Sequence, residues 1–393
     1  MKAEGAKLEG RAKLEDQEIT MRSALLFFAR ALLAVVGMGS AMTLLGANPP
    51  EFLSPEQTAP GQVTFRFYAP NANAVSVQGL RHRPPVALTR DAEGLWSGTV
   101  SDLPADIYTY SFNVDGAMVL DSHNRSFKKW LTSESAVEVT NGTPTVYALQ
   151  PVPHGVLHRH GYTSAFNGRE QACQVYTPPG YDPNARTRYP LIVLCHGYGD
   201  DETAWVEMGR ANLIADNLIA KGTMKKAVIL MPFGHPVQPI NRDQPYRNRN
   251  YLAFEQELLQ QLIPFVEANY RLARNPDNRA ILGLSMGGGH ALGVGLAHPE
   301  VFHWVAGFSS RAPTEELEKR FSPWIQSLKT KQRAPRLLWI GIGREDGLLE
   351  GNQTFTAWLK QNGIPFTWRL TDGGHEWSVW REDFAEVAPL LFK

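Results

Sequence analysis

The fold class this sequence predicts is α/β: a mostly parallel sheet with helices on both faces, preceded by a small all-β sandwich. Three observations lead there. From Ala172 onward, short apolar runs alternate with stretches of helical periodicity, the pattern of strand-helix-strand units and a parallel sheet. From Asn48 to about Gln150, apolar and polar residues alternate with period two between turn residues, which makes strands and no helices. A chain of 393 residues is too long for one ordinary domain and fits about two.

Composition bounds the rest. Hydrophobic residues make up 43% and charged ones 20%, ample material for a core and unlike a disordered chain. With 39 basic and 39 acidic side chains there is no global field to gather nucleic acid or an anionic membrane, so a neutral or locally recognised substrate is favoured. The two cysteines, Cys173 and Cys195, cannot form a disulfide framework or a zinc site by themselves, and both sit in apolar runs as small buried hydrophobes.

The chain divides at 1–47, 48–150 and 151–393. Residues 1–20 are charged and aperiodic, whereas Met21-Arg22 opens an apolar stretch from Ala24 to Ala47. The basic start, apolar middle and small residues near Gly39-Ser40-Ala41 or Leu45-Gly46-Ala47 fit a secretory signal over 21–47, implying a secreted or periplasmic protein with no membrane contact once the signal is removed. A retained anchor is the rival reading, with Gly37, Gly39 and Ser40 counting against a span.

In 48–150 the expected strands are Val63–Tyr68, Ala74–Val77, Leu95–Val100 and Tyr108–Val114, with turns at Ala69-Pro70-Asn71 and Asp91–Gly94. Trp96, Tyr108 and Tyr110 are expected to face the core. Pro151–Arg169 reads as a bridge rich in His, Gly and Pro. Beyond it the expected strands are Ala172–Tyr176, Leu191–Cys195, Ala227–Met231, Arg279–Leu284, Trp304–Phe308, Leu337–Ile342 and Phe366–Leu370. Helical periodicity covers Asn212–Ala220, Ala253–Tyr270, Gly287–Ala297, Asn352–Asn362 and Trp377–Leu391.

Ligands of such a sheet bind at the carboxyl ends of its strands. There lies Gly283-Leu284-Ser285-Met286-Gly287, a strand-turn-helix elbow with a serine at its apex. A serine hydroxyl is a weak nucleophile that needs a base, an exposed perch and donors for the oxyanion its attack creates. The strand Leu337–Ile342 runs into Gly343-Arg344-Glu345-Asp346-Gly347, and the next into Thr371-Asp372-Gly373-Gly374-His375. Asp346 and His375 are therefore the expected acid and base, in the chain order such a triad takes on this architecture. Glu345 and Asp372 remain substitutes for the acid, and His290 is expected on the helix surface or behind the site. The oxyanion donors are expected from the Met286 amide and from His196-Gly197-Tyr198-Gly199, with Tyr198 first and Gly197 its rival.

Tyr176-Thr177-Pro178-Pro179-Gly180-Tyr181, His196-Gly197-Tyr198-Gly199-Asp200-Asp201-Glu202-Thr203-Ala204-Trp205, Gly283–Gly288 and Gly373-Gly374-His375-Glu376-Trp377 resemble the esterase D, or carbohydrate esterase family 1, group. The similarity runs from about Gly155 to the end. It implies an α/β-hydrolase fold and serine carboxylic ester hydrolysis without metal or cofactor, on feruloyl or acetyl groups of plant cell wall polysaccharide. Trilactone siderophore ester hydrolysis is the alternative within enzymes, and acyl transfer or simple glycan binding the alternative of another class. Phe65–Pro70, Gly94-Leu95-Trp96 and Tyr108–Gly116 resemble immunoglobulin-like early-set modules of the family 48 carbohydrate-binding type, which implies glycan contact by the sandwich. The sandwich is expected to be dispensable for small-ester hydrolysis. Gly289-His290, where relatives often carry bulkier residues, is expected to widen the pocket floor. Arg242, in the irregular stretch Phe233–Asn250, and Trp324 beside Phe321 are candidate substrate contacts, joined by Trp205 and Trp377.

Overall fold

The computed structural model describes residues 50–81, 83–238, 244–313, 321, 324–325 and 335–393. The signal or anchor expected over 21–47, and Arg242, lie outside the described residues. Within them no helix is long and apolar enough to cross a membrane.

Eight strands make the main sheet: β1 (Val156–Thr163), β2 (Glu170–Thr177), β3 (Leu191–Cys195), β4 (Val228–Pro232), β5 (Arg279–Leu284), β6 (Trp304–Phe308), β7 (Leu337–Gly343) and β8 (Thr367–Thr371). Every side chain of β3, β4 and β6 is buried, as strands covered on both faces require. The order is β1-β2-β4-β3-β5-β6-β7-β8, with β1 and β2 antiparallel and the rest parallel. Helices α1 (Ala211–Ala220), α2 (Gln244–Glu257), α3 (Ser285–Ala297), α4 (Leu349–Gln361) and α5 (Trp377–Val387) cover it. Alternate residues of β3 feed two cores. Ile192 and Leu194 pack with Trp205, Ile214, Trp380 and Phe384, whereas Val193 and Cys195 pack with Phe254, Leu292 and Phe355. In α5 the buried Trp377, Trp380, Phe384 and Val387 recur at helical spacing and form its inner stripe.

Two departures from expectation are informative. The supposed bridge contains β1, an edge strand whose side chains are exposed or half-buried, so its His-rich composition carries no apolar strand signal. The supposedly irregular stretch before Asn250 is helical from Gln244, in α2.

Ahead of the sheet lie two antiparallel sheets. One has four strands, Glu56–Ala59, Gln62–Tyr68, Leu95–Val100 and Thr89–Arg90, and the other is built around Asp106–Val114 and Glu134–Val139. Val63, Phe65, Trp96, Tyr108, Tyr110 and Phe112 fill the space between them, so the three aromatics expected inside are inside. This sandwich is not a detached module. Leu53–Lys393 is one compact unit, and Ile107 and Ala136 of the sandwich belong to the same core as Trp205 and Trp380. Asp106, 3% exposed, pairs with Arg381 of α5, 1% exposed, so a carboxylate and a guanidinium from the two parts neutralise each other out of water.

Removing one partner of a buried pair leaves the other charge stranded, at a cost of about 3–5 kcal/mol. Asp106→Leu is therefore expected to lower the urea midpoint of unfolding by that equivalent, and adding Arg381→Met to recover most of it.

Candidate active site

Ser285 opens α3 with φ of 52°, a left-handed backbone rare outside glycine. The turn is possible because its flanks carry no side chain. A Cβ on Gly283 would meet Gly287 O at 2.3 Å, and one on Gly287 would meet His196 O at 2.4 Å. At this apex the hydroxyl reaches the cleft, and His375 Nε2 lies 2.9 Å from Ser285 Oγ. His375 Nδ1 faces Asp346 Oδ2 at 3.0 Å and Oδ1 at 3.2 Å. The three side chains leave β5, β7 and β8, and β7 and β8 run in register up to Gly343 and Thr371, which places the Asp346 and His375 loops side by side.

Asp346 is the acid that reaches the imidazole. Its side chain is fully buried, while Glu345 is exposed and Asp372 pairs with Arg344 in solvent. Burial by itself would raise the Asp346 pKa, but hydrogen bonds to the carboxylate, led by the one from His375, outweigh it and hold the group below the ordinary carboxylate value. Asp346 therefore stays ionised and keeps the His375 proton on Nδ1, leaving Nε2 to accept from the serine. Trp380 stands edge-on to the imidazole at 5.0 Å and supports its other side.

The loop after β3 lies beside the elbow because Cys195 pairs with Gly283 across the two strands. His196 organises it. Its Nε2 accepts the Gly234 amide at 2.8 Å, so Nδ1 carries the proton and donates to Gly197 O at 2.8 Å. Burial lowers the His196 pKa, in keeping with this neutral form. In a trans peptide the N–H points opposite to the C=O, so the bond that ties down Gly197 O turns the Tyr198 amide away from the His196 ring. Met286 is second in α3, where helix amides have no intrahelical acceptor. Gly197 and Tyr198 line the cleft with Ser285 and His375.

That cleft holds about 500 Å³, and one wall belongs to the sandwich through Arg81, Tyr108, Lys128, Thr132 and Glu134. These residues were not legible in the sequence. They come from strands and loops far from the elbow, and only packing brings them to the strand ends. The expectation that the sandwich is dispensable for small esters does not fit a site walled by it.

Several expected contacts are elsewhere. Trp205 is core: 1% exposed, it donates Nε1 to Cys195 O at 3.0 Å and packs edge-on to Trp377. Trp324, 3% exposed, and Phe321 are likewise buried, in the core around α4. Trp377 is nearly buried too, but reaches the cleft wall. His290 is not on the helix surface; it is buried and stacked on Phe254 at 4.3 Å. Nor does Gly289 widen a pocket, because a Cβ there would meet Arg311 O at 2.6 Å. It is a glycine because two backbones touch.

Comparison with known proteins fits this geometry. The family model described as "Putative esterase" matches residues 164–391. The chain belongs to this esterase family. A carbohydrate-binding module 48 model matches residues 44–131. An endo-1,4-beta-xylanase/feruloyl esterase of Xylanibacter ruminicola is 29% identical to this esterase-family chain over 88% of the chain and 47% of the relative. Endo-1,4-beta-xylanase Y of Acetivibrio thermocellus is 31% identical over 44% of the chain and 16% of the relative. The chain thus spans half or less of the length of these relatives. Among solved structures, a ferulic acid esterase of Anaeromyces mucronatus with ferulic acid aligns with a TM-score of 0.57 and 22% identity, over 65% of this chain and 98% of that one. An enterobactin esterase of Shigella flexneri aligns with a TM-score of 0.59 and 20% identity, over 84% and 92%. These likenesses establish an α/β-hydrolase fold preceded by an all-β domain.

Since a Cβ on Gly287 would collide with the backbone of Cys195 and His196, Gly287→Ala must displace either the elbow or the His196 loop. Labelling of Ser285 by a fluorophosphonate should slow by at least about a hundredfold, the scale of one lost oxyanion donor.

Proposed function

We propose that this chain is a secreted serine carboxylic ester hydrolase that removes feruloyl or acetyl groups from plant cell wall polysaccharide through an acyl-enzyme on Ser285. The observation that carries the reading is the continuous hydrogen-bonded line from Ser285 Oγ through His375 to Asp346. Asp346 orients the imidazole and stabilises the imidazolium. His375 Nε2 takes the serine proton as Oγ attacks the ester carbonyl, and the oxyanion that forms accepts from the amides of Met286 and Tyr198, with Gly197 the alternative donor. Collapse transfers the same proton to the leaving alcohol. Water then attacks the acyl-serine with His375 as base, freeing the acid and restoring Ser285. No metal or cofactor enters any of these steps.

The substrate class is supported by the feruloyl esterase named above, similar over most of this chain, and by the module 48 match, which favours glycan contact by the sandwich. The apolar stretch expected as a signal over 21–47 supports action outside the cell. Of the candidate substrate contacts, Trp377 lines the cleft, and Arg242 keeps its proposed role from sequence alone.

Ser285→Ala and His375→Ala are each expected to lower kcat by more than about a thousandfold with the fold intact, since triad members act as a unit. Near-normal turnover by either would overturn the assignment. Ferulate or acetate release from arabinoxylan fragments, set beside cleavage of a trilactone siderophore, tests the substrate: preference for the trilactone would replace the cell wall reading with the siderophore one. Acyl transfer to sugar exceeding hydrolysis would make it a transferase.

A further inference from the structure

The buried ionic junction between sandwich and sheet ends one residue from the imidazole. Glu376 follows His375 and caps α5 with an extended backbone, φ −148° and ψ 156°. Its amide donates to Gly374 O at 3.0 Å, and its Oε1 accepts the Gly374 amide at 3.4 Å. The first bond is backbone to backbone, and the second ties the carboxylate to the turn that holds His375. Glu376 Oε2 is held in turn by Arg81 Nε at 2.9 Å. Arg81 belongs to the sandwich. The far end of its guanidinium pairs with Asp106, and its cation lies over the Tyr108 ring at 5.2 Å. Asp106 reaches on to Arg381, which donates to Met208 O at 2.6 Å. The sandwich therefore grips α5 twice, once in its interior at Arg381 and once at the residue that closes the histidine turn.

Other features fit a fixing role. Arg81 has a left-handed backbone, φ 36°, which a side-chain-bearing residue keeps only where its surroundings over-determine it. Its side chain is 30% exposed and that of Glu376 20%, so the pair is partly shielded from water and better defined than a surface bridge. A guanidinium can reach two carboxylates at once with planar geometry, which an ammonium cannot.

We propose that Arg81 is a positioning residue contributed by the sandwich: through Glu376 it fixes the turn carrying His375, so that Nε2 is in register with Ser285 Oγ before substrate arrives. The proposal rests on the serine esterase reading above. It gives the sandwich a part in the chemical step itself, separate from any contact with glycan. Arg81 need touch neither the ester nor the imidazole.

Misplacing a reacting group by about 1 Å can cost up to about a hundredfold in rate. Arg81→Ala should therefore lower kcat on 4-nitrophenyl acetate by about tenfold or more, with KM within about twofold. Rates are to be expressed per site titrated with a fluorophosphonate, so that unfolded protein is not counted. Arg81→Lys should recover part of the loss. Glu376→Gln should resemble Arg81→Ala, and the double variant should be no slower than the slower single, because both act on one turn. Arg66→Ala, which removes a pair to Glu56 inside the sandwich, should leave kcat unchanged. Unchanged kcat per titrated site in Arg81→Ala, or additive losses in the double variant, would overturn the proposal. Ser285→Ala, which has no serine to titrate and is compared per mole of folded protein, separates the two claims. If it is inactive while Arg81→Ala is normal, only the positioning role fails; if it is active, the reading of the site fails first.

Discussion

Ser285 holds a left-handed backbone between β5 and α3 because the residues two before and two after it have no side chain. The close approach this allows fixes more than the serine. It sets Gly287 against the carbonyls of Cys195 and His196, which docks the loop after β3 against the start of α3 and brings the two proposed sources of oxyanion donors to one place. The sheet supplies the rest. Because β3 and β5 pair directly, and β7 and β8 do the same further along, the carboxyl ends of four strands deliver the loop, the serine, the acid and the base to a single edge.

Around that edge, burial is used in two ways. Asp346 is buried but hydrogen-bonded, so it keeps its charge beside the His375 imidazole. His196 is buried and neutral, so it can act as a fixed donor and acceptor that orients a peptide. The sandwich adds a third arrangement, a chain of alternating charges from Glu376 through Arg81 and Asp106 to Arg381. Each charge in it has an opposite neighbour, as removal from water demands. Across the cleft, Lys128 stands 3.5 Å from Asp200 and 3.7 Å from Glu134, so the sandwich wall is polar and largely self-compensated.

The parts of this site that could be read from the sequence are those with a local cause. The elbow shows itself because sterics force glycines around the serine, and Asp346 and His375 because each sits in the loop that directly follows a strand. β3, β5 and β6 were legible to the residue because a buried strand is an unbroken apolar run, interrupted in β5 only by Arg279 at its start. What could not be read has a tertiary cause. β1 is an edge strand with polar faces, and its existence depends on β2. Trp205 and Trp324 looked like substrate contacts because an aromatic in a loop-rich stretch is equally at home in a pocket or in a core, and only burial tells which. Arg81, from the strand-poor segment after Gly79, has no neighbour in sequence that hints at Glu376.

The central claim is that an acyl group passes through Ser285. Rapid quenching of the enzyme during turnover of methyl ferulate, followed by mass analysis of its peptides, tests this most directly. The account predicts one feruloyl group on the peptide containing Ser285, appearing before the steady state and vanishing as substrate is exhausted. Turnover without any acylated peptide, or with the acyl group on another residue, would contradict it.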